Sequence, residues 1–222
     1  MQNYFNNLEE SATIIHSGNV AKGFWEPRQS LPLSVALAIG ELYEALEAAR
    51  GSRAKADYVR FDANTLAAKQ HYKPGDASVE IPGVTVESFL IRVDHYQLSF
   101  KEFVKDTVAD ELADFVIRCL DLAKGHSIDL AQTQALYEDF VRRWSKDVYF
   151  NETELAEQLL YATSCALNIE SKVLRTGRQH ALAEALARVF LYCQANDINL
   201  NWHIHYKLLY NATRAAKHGK NF

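Results

Sequence analysis

The sequence predicts an all-α protein of seven to nine helices. Three observations carry that reading. Apolar residues recur at three- and four-residue spacing through most of the chain. Capping and stop residues fall where those runs begin and end. The stretch rich in proline, glycine and β-branched residues, 71–98, is short enough to be a small non-helical insertion.

Taken in order, the spacing of Leu8, Ala12 and Ile15 predicts a helix to Lys22, stopped near Gly23. Gly23 to Pro27 is a turn carrying Phe24 and Trp25, which either plug the end of the core or line a base pocket. Ser30 caps the next helix, with Pro32 in its first turn, and Arg50-Gly51 ends it. Asp57 to Gln70 is a further helix. His71 to Leu98 holds Pro74, Gly75, Pro82 and Gly83 among β-branched residues and reads as a hairpin or irregular loop, either a lid or a surface excursion. Ser99-Phe100-Lys101-Glu102 has the pattern of a capping box and is expected to open a helix running to Gly125. Asp129 caps a helix to about Lys146, and Asn151 with Glu154 starts one expected over 153–175, stopped by Gly177. Gln179 to Ala195 and Asn201 to Lys217 complete the set, with Gly219 closing the last.

The composition excludes several classes. With 222 residues, 48% of them hydrophobic, the chain can bury a core. A formal net charge of −4 provides no basic face for broad nucleic-acid binding. The N-terminus, without a basic region followed by an apolar one, is not expected to act as a signal peptide, and no membrane span is expected because no run of about 18 apolar residues occurs. The three cysteines lie in apolar helical stretches without Cys-x-x-Cys spacing. They read as buried hydrophobes of a reducing, cytoplasmic compartment.

Two helices carry the chemistry. Glu41 and Glu44 lie three residues apart among Ile39, Leu42 and Leu46, and Glu111 and Asp114 lie three apart among Leu112, Phe115 and Val116. Positions i and i+3 share a helix face. Either pair alone is common on a solvated face. Set in apolar surroundings and packed side by side, the two pairs would bring four negative charges together. Unit charges 4 Å apart repel by about 4 kcal/mol at an effective dielectric of 20, so cations or protons must neutralise them. All-oxygen ligands favour Mg²⁺ or Mn²⁺, and magnesium is commonly held by carboxylates together with substrate phosphates. Lys207, Asn211 and Arg214 share one face of the last helix, followed by Lys217, His218 and Lys220. Such a set suits phosphate oxygens, although basic residues near a helix end also complement its dipole. His203 and His205, two apart, diverge on a helix and read as packing residues.

An internal repeat is also expected. Val108 to Cys119 resembles Leu182 to Cys193, and Ile128-Asp129-Leu130 echoes Ile198-Asn199-Leu200. More weakly, Glu41 to Leu46 echoes Ala162 to Leu167. The acids are lost in the second copy: Ala162, Cys165, Ala185 and Arg188 stand where Glu41, Glu44, Glu111 and Asp114 stand in the first. This predicts two degenerate tandem halves, 1–130 with the acidic site and 131–222 with the basic terminus, packed as a pseudo-dimer with one live site. Arg188 is a candidate to approach phosphates.

Glu41-x-x-Glu44 followed by Glu111-x-x-Asp114 resembles the metal-binding signature of the all-α nucleoside triphosphate pyrophosphohydrolases, the MazG-like and dimeric dUTPase-like group. The ending Lys207-x-x-x-Asn211-x-x-Arg214-x-x-x-His218-Gly219-Lys220-x-Phe222 and the early Lys22-Gly23-Phe24-Trp25 are similar to segments of the same group, in the same order. The resemblance implies a MazG-like helical bundle that hydrolyses a nucleoside triphosphate to the monophosphate and pyrophosphate. It implies Mg²⁺ held by Glu41, Glu44, Glu111 and Asp114, with one of these carboxylates orienting or deprotonating water. Lys207, Asn211, Arg214, Lys217, His218 and Lys220 would position the phosphates. It also implies that the helices need a neighbour, supplied by a homodimer partner or in part by the fused second half. The alternative is a nucleotide-binding or regulatory protein on the same fold with weak turnover. The Glu44-to-Glu111 spacing and the segment 131–205 both exceed the group's usual pattern, which bears most on the roles of the basic terminus.

Overall fold

The computed structural model describes residues 3–53, 55–81, 89–145, 154–170 and 177–216. Among them are nine α-helices: α1 (Leu8–Ala21), α2 (Leu31–Arg50), α3 (Tyr58–Lys69), α4 (Val93–Phe103), α5 (Val108–Gly125), α6 (Leu130–Trp144), α7 (Leu155–Glu170), α8 (Gly177–Ala195) and α9 (Leu200–Thr213). Two strands, β1 (Ser78–Ile81) and β2 (Phe89–Arg92), pair antiparallel with Ser78 opposite Arg92 and Ile81 opposite Phe89. The all-α expectation holds in this coarse form.

Local chemistry sets the boundaries. Asn7, Ser30, Asp57, Asp129 and Asn199 each accept a backbone N–H from the first turn of the helix that follows. One boundary differs from expectation. Ser99 to Glu102 lies inside α4 rather than opening a helix. The helix with the second carboxylate pair starts instead at Thr107, whose Oγ1 accepts from the Asp110 N–H at 3.3 Å. Asp110 in turn accepts from the Asp106 N–H at 3.0 Å. The chain turns here through a left-handed Asp106, φ 61°. The insertion therefore contains less irregular chain than 71–98, because 93–98 are helical. The last helix also ends early, with Arg214 extended at φ −83°, ψ 157°. Asn151, residues 171–175, Lys217, His218, Gly219 and Lys220 lie outside the described residues. Gly177 adopts φ 73° and begins α8.

The helices form a main bundle. α2 packs along α5 and α7 along α8, α2 lies against α7, α1 covers α5, and α6 covers α8. Its core is nearly continuous through Leu42, Leu112, Phe115, Leu182 and Leu186, all essentially inaccessible. A second core is strongly aromatic. Phe61 of α3 makes edge-to-face contacts with Tyr96, Phe100, Trp202 and Tyr206, at centroid distances of 5.2–6.5 Å. The α3–hairpin–α4 unit is thus fastened to α9, which itself packs on α5.

One turn is built twice. After α5, Ser127 is left-handed at φ 54°, and the Ile128 N–H reaches the Ala123 carbonyl at 2.9 Å. After α8, Asp197 is left-handed at φ 55°, and the Ile198 N–H reaches the Cys193 carbonyl at 2.9 Å. Asp129 and Asn199 then cap α6 and α9. All three cysteines are free and buried. Among the described residues, no helix is long and apolar enough to cross a membrane.

Candidate active site: an acidic cleft between α2 and α5

The apolar stripes of α2 and α5 face each other, so the acids one position around each helix meet at the seam's edge. A cleft of about 220 Å³ opens there. Glu41, Glu44, Glu111 and Asp114 all line it, together with Phe24, Lys207, Asn211 and Arg214. Of the thirteen residues that the sequence marks for a functional role, eight meet here. Trp25 is not part of the lining. It packs on Gly125, where an added Cβ would come within 2.0 Å of the indole. Its Nε1 donates to Asp121 at 3.0 Å. Trp25 is thus a brace beneath the cleft, while Phe24 reaches the wall.

The four acids are not equivalent. Glu41 is 7% exposed and accepts from Arg118 Nε at 2.7 Å. Glu111 is 3% exposed, whereas Glu44 faces solvent. One oxygen from each of these three lies within 4.8 Å of the others. A second such group joins Asp106, Asp110 and Glu111. Asp114 belongs to neither. Its Oδ2 is 2.7 Å from the ammonium of Lys207, which is also 2.7 Å from Asp110 Oδ2.

Burial dominates the electrostatics. It pushes the Glu111 carboxyl up to about 9, against the pull of Lys207, with Asp114, Asp110 and Glu41 adding to the rise. Glu41 is raised to about 6, first by burial and then by Asp114, with Arg118 opposing. Asp110 is likewise raised to about 6 by burial, although Lys207 opposes it. Burial disfavours the Lys207 ammonium, but Asp114, Asp110 and Glu111 outweigh it and raise its pKa. Lys207 is therefore charged, and neutral pH finds Glu111 short of a positive partner. Such a set takes up either protons or a cation. Three carboxylates with converging oxygens, and no sulfur or imidazole in either group, fit a hard divalent ion such as Mg²⁺ or Mn²⁺.

Arg118, Asp110, Lys105, Asp106, Asn19, Gln29 and Asp121 join the site without being marked by the sequence patterns above. Arg118 had a legible signal, since it lies four residues beyond Asp114 on the same face of α5. Asp110 had one too, as the fourth residue of Thr107-x-x-Asp110. Asp121 gathers His16 Nδ1 at 2.6 Å, Asn19 Nδ2 at 2.7 Å and Trp25, and thereby fixes Asn19 at the cleft wall. Arg214 lines the cleft and lies 5.5 Å from the Tyr210 ring centroid, while its carbonyl accepts from Lys22 Nζ. Asn211 Oδ1 is buried without a hydrogen-bond partner among the described residues. Arg188 lies outside this lining, paired with Glu184 at 2.9 Å and stacked over Trp144 and Tyr161. His203 is fully buried, with Nε2 2.7 Å from the Tyr58 hydroxyl, and burial lowers its pKa to about 3, so it packs as a neutral ring.

Comparison with protein-family models, curated proteins and solved structures finds no match to this chain.

Proposed function

We propose that the chain is a Mg²⁺-dependent nucleoside triphosphate pyrophosphohydrolase, converting a nucleoside or deoxynucleoside triphosphate and water to the monophosphate and pyrophosphate. One observation carries the reading: the acids of α2 and α5 meet Lys207 and Asn211 of α9, and Arg214 just beyond it, at a single cleft. Acids alone would fit any cation. Acids facing Arg214 and Asn211 fit a metal-bound polyphosphate better than a free metal.

Glu41, Glu44 and Glu111 are the candidate holders of the ion, which when bound supplies positive charge against the phosphates. The chain's own groups do the rest. Arg118 fixes the Glu41 carboxylate. A carboxylate of the acidic set orients the attacking water and accepts its proton as the water oxygen bonds to the α-phosphorus. The bond from that phosphorus to the α–β bridging oxygen breaks, and pyrophosphate leaves. Arg214 and Asn211 position the phosphates, and Phe24 offers a face to the base.

The same reading includes the finer fold. The turn built twice, the pairing of α2 with α5 and of α7 with α8, and the contact of α2 with α7 support two MazG-like halves packed as a pseudo-dimer with one live site.

The test is product analysis across the common NTPs and dNTPs with Mg²⁺ and with EDTA. Pyrophosphate and a monophosphate are expected, released in Mg²⁺ alone. Release of orthophosphate would contradict the reaction. No turnover, combined with Mg²⁺-dependent thermal stabilisation by a non-hydrolysable triphosphate, would support a nucleotide-binding role instead.

A further inference from the structure

We propose that the Lys207 ammonium is the cleft's built-in second cation: the site takes one divalent ion, on Glu41, Glu44 and Glu111, and Asp114 is a partner of Lys207 rather than a metal ligand. This rests on the metal reading above and departs from a four-carboxylate ligand set.

Lys207 separates the acids by partner, although Glu111 also converges with Asp106 and Asp110. Glu41, Glu44 and Glu111 bring an oxygen each within 4.8 Å of one another. Asp110 and Asp114 instead each place Oδ2 2.7 Å from Lys207 Nζ. Both ends of the Asp110–Lys207 pair are removed from water, at 0% and 4% exposure. A buried ammonium persists only where carboxylates compensate its lost hydration. A divalent ion on the same two oxygens would face a like charge at contact range. Lys207 and an ion on Asp110 and Asp114 are therefore mutually exclusive.

The lysine is also held in place. Its neighbours on α9, Tyr206 and Tyr210, are 1% and 2% exposed in the aromatic core, and its Nζ lies 5.8 Å from the Phe100 ring centroid. The Asp106 N–H donates to the same Asp110 oxygen that meets Lys207, while Asp110 Oδ1 has no hydrogen-bond partner among the described residues. The α3–hairpin–α4 unit and α9 thus serve the site by fixing a cation in it. Lys207 is a positioning residue: it neutralises Asp114 and Asp110 and leaves the other three acids to the ion.

The test counts ions without nucleotide. The full chain is stripped with chelator and titrated with Mn²⁺, and free Mn²⁺ is read by electron paramagnetic resonance. Wild type is expected to bind one Mn²⁺. Glu44→Gln should weaken binding by about 10- to 100-fold, and Asp114→Asn by clearly less. Lys207→Met should bind two Mn²⁺, because Asp110 and Asp114 become free to hold the second. Two ions on wild type, an Asp114→Asn loss equal to that of Glu44→Gln, or a folded Lys207→Met chain that still binds one would each overturn the proposal. If Lys207→Met does not fold, the wild-type count and the two carboxylate variants decide. No Mn²⁺ bound to wild type would overturn the metal reading itself, and this inference with it.

Discussion

The α2–α5 seam and the α7–α8 seam are both made by paired helices and differ in what stands on them. On the first, Glu41, Glu44, Glu111 and Asp114 surround a cleft of about 220 Å³. On the second, Ala162, Cys165 and Ala185 are at most 6% exposed, and Arg188 is folded onto Glu184, Trp144 and Tyr161. The small hollow beside Arg188, between Leu112, Gln158 and Tyr192, has no room for a water molecule. Small side chains at Ala162, Cys165 and Ala185 let the paired helices close, even though the Gln158 amide is buried there without a hydrogen-bond partner among the described residues. Carboxylates keep their seam open, because each needs water, a cation or a proton. The seam that carries carboxylates is open, and the one that carries Ala162, Cys165 and Ala185 is closed.

Breaking the charged face should have the largest effect. Glu41→Gln is expected to lower Mg²⁺-dependent turnover by about 100- to 1,000-fold, with the circular dichroism spectrum unchanged. Near-normal activity would remove Glu41 from the site. On the stability side, Lys207→Met leaves Asp110 and Asp114 uncompensated and should cost about 3–5 kcal/mol in chelator, read by urea unfolding.

Charging the closed face should be nearly as costly. Ala185→Glu buries a carboxylate at a position with 0% exposure and is expected to destabilise by several kcal/mol, on the order of 3 or more. A loss below about 1 kcal/mol would show that this face opens readily. Arg188→Ala should cost about 1–2 kcal/mol through its lost stacking and ion pair, and leave turnover unchanged. A fall in turnover would place Arg188 in the reaction.

The pH dependence should be mildest and still diagnostic. Glu111 is raised from 4.5 to about 9 and Glu41 from 4.5 to about 6 in the folded chain. Between the unfolded and folded values the native state binds more protons, so metal-free stability should fall as pH rises from about 5 to about 9. Saturating Mg²⁺ takes the protons' place and should flatten that slope, a difference read from melting temperatures at each pH. An identical slope with and without Mg²⁺ would separate the acids from any metal.

Much of this was legible in the sequence where the signal was local. Ser30-x-Pro32, Asp129 and the i, i+3 acids each fix their own surroundings within one helical turn. Ser99 to Glu102 imitates a capping box inside α4, whereas α5 is capped by Thr107 with Asp110 reaching back to the Asp106 N–H rather than to the cap's own. The division of labour among the acids was not legible. It depends on Lys207 meeting Asp110 across 97 residues, and that contact is set by the aromatic packing of α9 against α3 and α4. Helical periodicity gives a residue's face, not the element that will lie across from it.

The most direct measurement is a crystal soaked in Mn²⁺ and recorded at the manganese edge. The account predicts an anomalous peak within coordinating distance of Glu41, Glu44 and Glu111, and none beside Ala162, Cys165 and Ala185. A soaked crystal with no peak at the three glutamates, or with its strongest peak elsewhere, would contradict it.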